Sequence, residues 1–535
     1  MSRNPYVNFI TAKEAAELIP DDAVIAAASF GNGGWPHELA YAVEERFLKT
    51  GHPSNIMHIH AAGCGDFGTN GHGECHWIHP GLLTRIITSH PGSSPKVMKA
   101  IENDEIMCWN QPLGTMTQLF REMGRGMPGV LSKIGLGTFL DPRGDRGALN
   151  RSSREYNEDF CEYVPDFMGE DYVFYKAYPL THAFIRGSYA DSNGNISVEK
   201  EAYNLECLAV AQAVKACGGK VFVQVEKVVE LGQIHPKMVK IPGLYVDYVV
   251  EAKNHELDWQ TFGTYYDPTF SGELRADMDA GAEKLDFSPD KVMCRRAAME
   301  IKAGYKCDFG IGKPTFIGSV IEEEGCRGDV IMISESGAIG GVPGGGLNFG
   351  AHFNIEASSD QGDHFSFFDG GGLDIGVFGL SEADKDGNIN TSLLNGVIKG
   401  VGGFANIAAT ARHSVFMGNF KVGGLECHVE DGKMIIDKEG KYPKFVEKCP
   451  QLTFNAEESL KKGNTILFVT ERCVIRRTWE GLVIEEIAPG IDLQTQIIEQ
   501  CPNVTFIVPE GGPKLMDEAL FQEEWGGLRE IMMKK

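Results

Sequence analysis

Apolar and polar positions along this chain follow two rhythms that repeat in order. Residues 24–30 form an apolar run, residues 31–36 (Gly-Asn-Gly-Gly-Trp-Pro) a loop, and residues 37–49 place Leu39, Ala42, Val43 and Phe47 at helical spacing. The same strand–loop–helix pattern returns later. Residues 307–311 read as a short strand, Gly312-Lys313-Pro314 as the turn, and Phe316, Ile317, Val320 and Ile321 as one helix face ended by Gly325. A second echo is sharper: Ala190-Asp191-Ser192-Asn193-Gly194-Asn195-Ile196 resembles Ala383-Asp384-Lys385-Asp386-Gly387-Asn388-Ile389, each after an apolar segment. Asn-Gly and Asp-Gly favour tight turns, so each copy predicts a hairpin or corner. Two echoes in the same order predict two related open α/β domains. The expected boundaries are 1–255 for the first, 256–287 for a linker region without sustained period, and 288–535 for the second.

Within the second half, the apolar run Val330-Ile331-Met332-Ile333 reads as a central strand. It leads into Ser334-Glu335-Ser336-Gly337-Ala338-Ile339-Gly340-Gly341-Val342-Pro343, a stretch crowded with glycine. An acid just beyond the carboxyl end of a strand sits where open α/β sheets hold their ligands. Glycines there leave room for a ligand or another backbone. Glu335 is therefore a candidate nucleophile; the plain alternative is a solvated acid in a loop.

The stretch 334–343 resembles the active-site signature of the class I CoA-transferases, and the likeness runs from Ala12 to Leu528. The nearest likeness is to single-chain acetate/propionate CoA-transferases. The resemblance implies two α/β domains facing each other over the active site. It implies that Glu335 attacks an acyl-CoA and carries CoA as a glutamyl thioester, exchanging it between short-chain acids by a ping-pong route. Gly310-Ile311-Gly312 and Gly400-Val401-Gly402-Gly403-Phe404 resemble the family's oxyanion and CoA-contact segments. By that likeness the N–H of Ile311 and of Gly402 or Gly403 hold the oxyanion. Read alone, both are tight turns. Gln118, in Asn110-Gln111-Pro112-Leu113-Gly114-Thr115-Met116-Thr117-Gln118, matches a family glutamine beside the carboxylate. The loop at 31–36 matches a segment that shapes the acyl pocket, where Trp35 either narrows that pocket or belongs to the core. CoA is then a substrate, no cofactor or metal is required, and a homo-oligomer, often a tetramer, is implied.

Composition narrows the alternatives. The chain has 535 residues, 42% hydrophobic and 23% charged, as in ordinary globular proteins. No stretch approaches the roughly 18 apolar residues of a membrane span. No secretory signal is visible at the N-terminus. Its 13 cysteines are scattered and odd in number, which fits a reducing cytoplasm rather than a disulfide framework. A net charge of −24 argues against nucleic acid and anionic membranes as partners. Any CoA site must then be locally basic or rich in backbone N–H groups.

Three rival readings stand beside this one. Gly400-Val401-Gly402-Gly403-Phe404-Ala405 fits G-x-G-x-x-A, but the polar residues before it do not make the strand a dinucleotide site needs. His58, His60, Cys64, His72, Cys75, His76 and His79 offer zinc ligand types without a strong zinc spacing. A CoA-ester-binding protein, an acyl-CoA thioesterase or a 3-oxoacid CoA-transferase would share the same motifs.

Overall fold

The computed structural model describes residues 6–68, 71–277 and 285–534. Residues 278–284, within the expected linker region 256–287, lie outside the described residues. By contacts the chain divides into two compact units. One holds the described residues of Met1–Ala276, Glu335–Ser366 and Asn395–Asn406; the other holds those of Asp277–Ser334, Phe367–Leu394 and Ile407–Lys535.

The first unit is built on a parallel sheet. Its strands run in the order Asn8–Ile10, Tyr248–Glu251, Lys220–Val229, His182–Asp191, Val24–Ala27, Ile56–His60, Leu83–Thr88 and Met107–Asn110. Val24–Ala27 and Ile56–His60 are buried at every position, as central parallel strands are when helices cover both faces. The helix His37–Thr50 follows the loop after Val24–Ala27 and ends on Gly51 at φ +77°, matching the spacing of its apolar residues. Strand order reverses between Val24–Ala27 and His182–Asp191, which creates the crevice where such sheets bind ligands.

The second unit repeats the plan. Ile331–Met332, Lys306–Phe309, Ile375–Gly379, His413–Met417 and Thr465–Val469 lie parallel in that order. Cys473–Thr478 and Gly481–Ile487 then extend the sheet antiparallel. The helix Phe316–Glu323 buries Ile317, Val320 and Ile321, and Gly325 follows at φ +66°.

The two short echoes fold identically. Ala190 pairs with Ile196 in one hairpin and Ala383 with Ile389 in the other. In the first, Asp191 Oδ1 accepts the N–H groups of Asn193 and Asn195, and Oδ2 accepts Asn195 Nδ2. Asp384 accepts from Asp386 and Asn388 in the same three ways. Each asparagine Oδ1 also takes one distant backbone N–H, Gly243 in one case and Ala456 in the other. A repeated aspartate-centred turn of this detail supports common ancestry of the two halves.

Two expectations change. The run at 330–333 is not a central strand: only Ile331–Met332 pairs, at the sheet edge beside Lys306–Phe309, and Ile331 is 40% exposed. An unbroken apolar run does not distinguish an edge strand with one covered flank from a central one. The expected second half, 288–535, is also not contiguous in space. Glu335–Ser366 and Asn395–Asn406 pack with the first unit. Among the described residues, no helix is long and apolar enough to cross a membrane.

Candidate active site

Beyond Ser334 the chain enters the first unit as a long, glycine-rich hairpin. Ala338–Ile339 pairs with Ala357–Ser358, and Val342–Pro343 with His352–Phe353. Its glycines serve close approach: at Gly337, with φ +102°, a Cβ would lie 2.2 Å from Ser359 O. The hairpin is seated on loops that follow the sheet's carboxyl ends. Phe349 stacks on Phe30 with ring centroids 6.0 Å apart. Tyr203 Oη donates to Phe349 O at 3.1 Å, and Asn204 Nδ2 to Ser358 O at 3.0 Å.

Glu335 opens this hairpin. Its main-chain oxygen accepts a hydrogen bond from Gln361 Nε2 at 3.3 Å. As a residue Glu335 is partly exposed, but its carboxyl group is enclosed. Burial pushes that carboxyl up to about 7, offset in part by one hydrogen bond from the Gly403 N–H. Among the described residues it makes no ion pair. The contact with Gly403 is close. A Cβ on Gly403 would fall 1.5 Å from Glu335 Oε2 and 3.2 Å from Phe365 Cζ, so the position admits only glycine while the carboxylate stays in place.

The loop that carries Gly403 is clamped from below. Asn110, at the end of Met107–Asn110, donates from Nδ2 to Thr88 O at 2.6 Å and Ser89 O at 2.8 Å. Its Oδ1 accepts the Val401 N–H at 3.0 Å. Gly400 sits at φ +89°, and a Cβ there would meet Ser89 O at 2.5 Å. The Gly402 N–H donates to Ser89 O at 2.9 Å, and Gly402 O accepts from Leu113 N at 3.3 Å. Gly402 is therefore engaged with the scaffold, and Gly403 presents its N–H to the carboxylate. Asn406 Oδ1 then accepts the Gly114 N–H at 3.0 Å.

Gln118 lies on the helix Leu113–Gly124, one turn beyond Gly114 and so on the same face. That helix is tight against the residues around Glu335: a Cβ at Gly114 would lie 2.3 Å from Phe365, and Arg121 pairs with Asp363 at 2.5 Å. Gly310, Ile311 and Gly312 belong to the second unit, at the carboxyl end of Lys306–Phe309. There Gly310 N–H donates to Val377 O at 2.9 Å, Ile311 is 57% exposed, and Gly312 has φ +91°. Trp35 is 1% exposed and packs on Trp77 and His58, so it is a core residue.

The histidine-rich stretch separates into three groups. His76 and His79 both pair with Glu44 at 2.7 Å, and His72 pairs with Asp66 at 3.3 Å. His58 and His60 meet Glu74 in the core. Sequence reading did not single out Asn110, Gln361, Phe365, Asn406 or Glu74. Asn110 opens the stretch 110–118 that holds Gln118, and its position after an apolar strand is the available signal. The others act across sequence separations that no local pattern reports.

Comparisons with known proteins agree with this architecture. The family description "Coenzyme A transferase" matches residues 9–252. The caffeate CoA-transferase of Acetobacterium woodii is 42% identical over 531 residues, spanning 98% of this chain and 99% of that protein. The acetate CoA-transferase YdiF of Escherichia coli K12 is 36% identical over 520 residues, spanning 97% and 96%. A crystal structure of the E. coli O157:H7 acyl-CoA transferase YdiF, a thioester complex with CoA, superposes with a TM-score of 0.89. It shares 35% identity and covers 98% of this chain and 99% of that one.

Proposed function

This chain belongs to the coenzyme A transferase family and is a CoA-transferase, and from that premise we propose that Glu335 is its nucleophile. The observation that carries the proposal is a carboxyl group enclosed by protein, with no ion-pair partner among the described residues, under a backbone N–H at a position only glycine can fill. Loss of water raises the reactivity of such a carboxylate, and a neighbouring cation would lower it.

The reaction exchanges CoA without hydrolysis. The Glu335 carboxylate attacks the acyl-CoA carbonyl, the C–S bond breaks, and CoA thiolate leaves an acyl-glutamyl anhydride. The thiolate attacks the glutamyl carbonyl, releasing the first acid as its carboxylate and leaving glutamyl-CoA. A second carboxylate repeats both steps in reverse, yielding the new acyl-CoA and free Glu335. The Gly403 N–H, already on a Glu335 oxygen, stays with that oxygen as it becomes the tetrahedral oxyanion. Gly402 supports the loop through Ser89. The Ile311 N–H, between Gly310 and Gly312, is the second oxyanion donor, and Gln118 orients the carboxylate without neutralising it. CoA is a substrate, and the working form is a cytoplasmic homo-oligomer, a tetramer by family likeness.

The acids exchanged are short-chain monocarboxylates such as acetate, propionate and butyrate, in keeping with the YdiF relative named for acetate. An arylacrylate is the second reading, favoured by the 42% identical relative named for caffeate. Initial rates with acetyl-CoA and a series of acids test both. Parallel double-reciprocal lines are expected, with the highest kcat/KM for a short-chain acid. A preference for caffeate or cinnamate selects the second reading, and CoA release without any acceptor acid makes the protein a thioesterase.

A further inference from the structure

Trp35 lies in the core, so the space beside Glu335 is bounded by other residues at the carboxyl edge of the first sheet. Val24–Ala27, Ile56–His60, Leu83–Thr88 and Met107–Asn110 run side by side and parallel. The segments that follow them emerge at one edge, where such sheets hold ligands. Gly31 follows the first strand, Phe67 the second and His90 the third. Asn110, ending the fourth, holds the loop of Gly402 and Gly403 through the Val401 N–H. The Gly65 N–H donates to Gly31 O at 2.8 Å, which lays the Phe67 segment along the Gly31 loop.

Two of these positions have no side chain, and an aromatic ring faces each. A Cβ on Gly31 would meet Phe67 Cε2 at 4.0 Å, and one on Gly402 would meet His90 Cδ2 at 3.7 Å. Chain neighbours aside, no other described atom lies within 4 Å of either. Phe67 and His90 sit with ring centroids 6.1 Å apart, tilted by 50°. Gly403 differs from its neighbour Gly402, because buried Phe365 stands 3.2 Å from a Cβ built there. An acyl group whose carbonyl lies at Glu335 is thus blocked toward Phe365 and open past Gly402 toward His90 and Phe67. Phe67 is held there at a cost. Its φ of +60° is unfavourable for a bulky side chain, and it is 39% exposed, so core packing does not account for it. Its N–H donates to Ser93 O at 2.8 Å. The buried carboxylate of Asp66 accepts the N–H groups of Gly68, Gly71 and His72 at 3.3, 2.8 and 3.2 Å. These bonds fix an exposed aromatic ring at the rim of the site.

We propose that Phe67 and His90 form the wall that limits the length of the acyl group, and so determine the preference for short-chain acids. The inference rests on the reading that the reacting carbonyl meets Glu335 beneath Gly403. Gly31 and Gly402 leave a slot floored by backbone, and the two rings close its far end. Acetate, propionate and butyrate end short of the rings, whereas a longer chain or an aryl group has to displace Phe67. The apolar ring suits the methyl end of such an acid, since their contact removes apolar surface from water. His90 is neutral near pH 7, because burial and the charge of Lys399 push its pKa down to about 4. The wall therefore brings no imidazolium near the nucleophile.

The test is acid selectivity, with acetyl-CoA as donor and propionate, butyrate, hexanoate or cinnamate as acceptor. Wild type should favour propionate over hexanoate in kcat/KM by about tenfold or more, as methylenes pressed against a fixed wall require. Phe67→Ala and His90→Ala should each raise the hexanoate-to-propionate ratio about tenfold, and Phe67→Trp should lower the butyrate-to-propionate ratio. If the alanine variant of Phe67 fails to fold, Phe67→Leu takes its place and should move the ratio the same way by less. A loop that merely loosens lowers all rates together and leaves the ratios fixed. Unchanged ratios in the folded variants, or a wild-type enzyme as efficient with hexanoate or cinnamate as with propionate, would overturn the wall. The CoA adduct on Glu335 is followed in parallel. Its absence from an active wild type removes the Glu335 reading, while the ratios still decide the wall.

Discussion

Replacing Glu335 by glutamine should stabilise the fold at alkaline pH and help progressively less as the pH falls. The substitution preserves size, and the new amide oxygen still accepts the Gly403 N–H. What it removes is a buried carboxyl whose pKa rises from 4.5 to about 7, chiefly through burial. A raised carboxyl means the folded state holds its proton more tightly than the unfolded chain does. The resulting penalty is absent below pH 4.5, grows as the unfolded chain ionises, and is complete above pH 7. At about 1.4 kcal/mol per pH unit, the full penalty is about 3 kcal/mol. The same linkage gives about 2 kcal/mol at pH 6, so the benefit of the substitution should shrink by about 1 kcal/mol from pH 8.5 to pH 6. Both conditions lie above the sequence pI of 5.1. Urea unfolding of wild type and Glu335→Gln at the two pH values provides the comparison. Other titrating groups are common to both proteins and cancel, as does any fixed cost of burying the amide. Equal stability differences at both pH values, or a larger benefit at pH 6, would refute the enclosed, cation-free carboxyl.

Further outcomes follow from the same geometry. The ionised carboxylate is the attacking form, so kcat/KM should fall about tenfold per pH unit below an apparent pKa near 7, and a profile flat from pH 5 to 8 would contradict this. Gly403→Ala puts a Cβ 1.5 Å from Glu335 Oε2 at a backbone conformation alanine adopts freely; turnover should drop about 100-fold or more with only a small change in melting temperature. Gly402→Ala instead forces alanine to φ +54°, so its main effect should be a loss of about 1 kcal/mol in urea unfolding. Asn110→Ala removes three buried hydrogen bonds beneath the loop, and should cost about 2–4 kcal/mol of stability together with much of kcat.

Local pattern carried the elements that depend on neighbours in sequence. The helix after Val24–Ala27, the Gly325 stop and the twin aspartate turns follow from apolar spacing, glycine and Asn-Gly or Asp-Gly chemistry, each a short-range effect. Glu335 stood out as a candidate because its glycine-rich setting is unusual and resembles a family signature. The division of the molecule was not, because Glu335–Ser366 joins the first unit through Phe30, Tyr203 and Leu205, more than a hundred residues away. Nor could sequence separate Gly402 from Gly403: the difference lies in which N–H meets Ser89 O and which meets the carboxylate. His58 and His60 stood out as ligand types, yet Glu74 joins them only through the fold.

The central claim, a covalent route through Glu335, is tested most directly by mass spectrometry of the protein after incubation with acetyl-CoA and no acceptor acid. A CoA-sized adduct should appear on the peptide that contains Glu335, disappear on addition of acetate or propionate, and be absent from Glu335→Gln. Full transfer activity with no adduct at Glu335, or an adduct on another residue, would contradict the account.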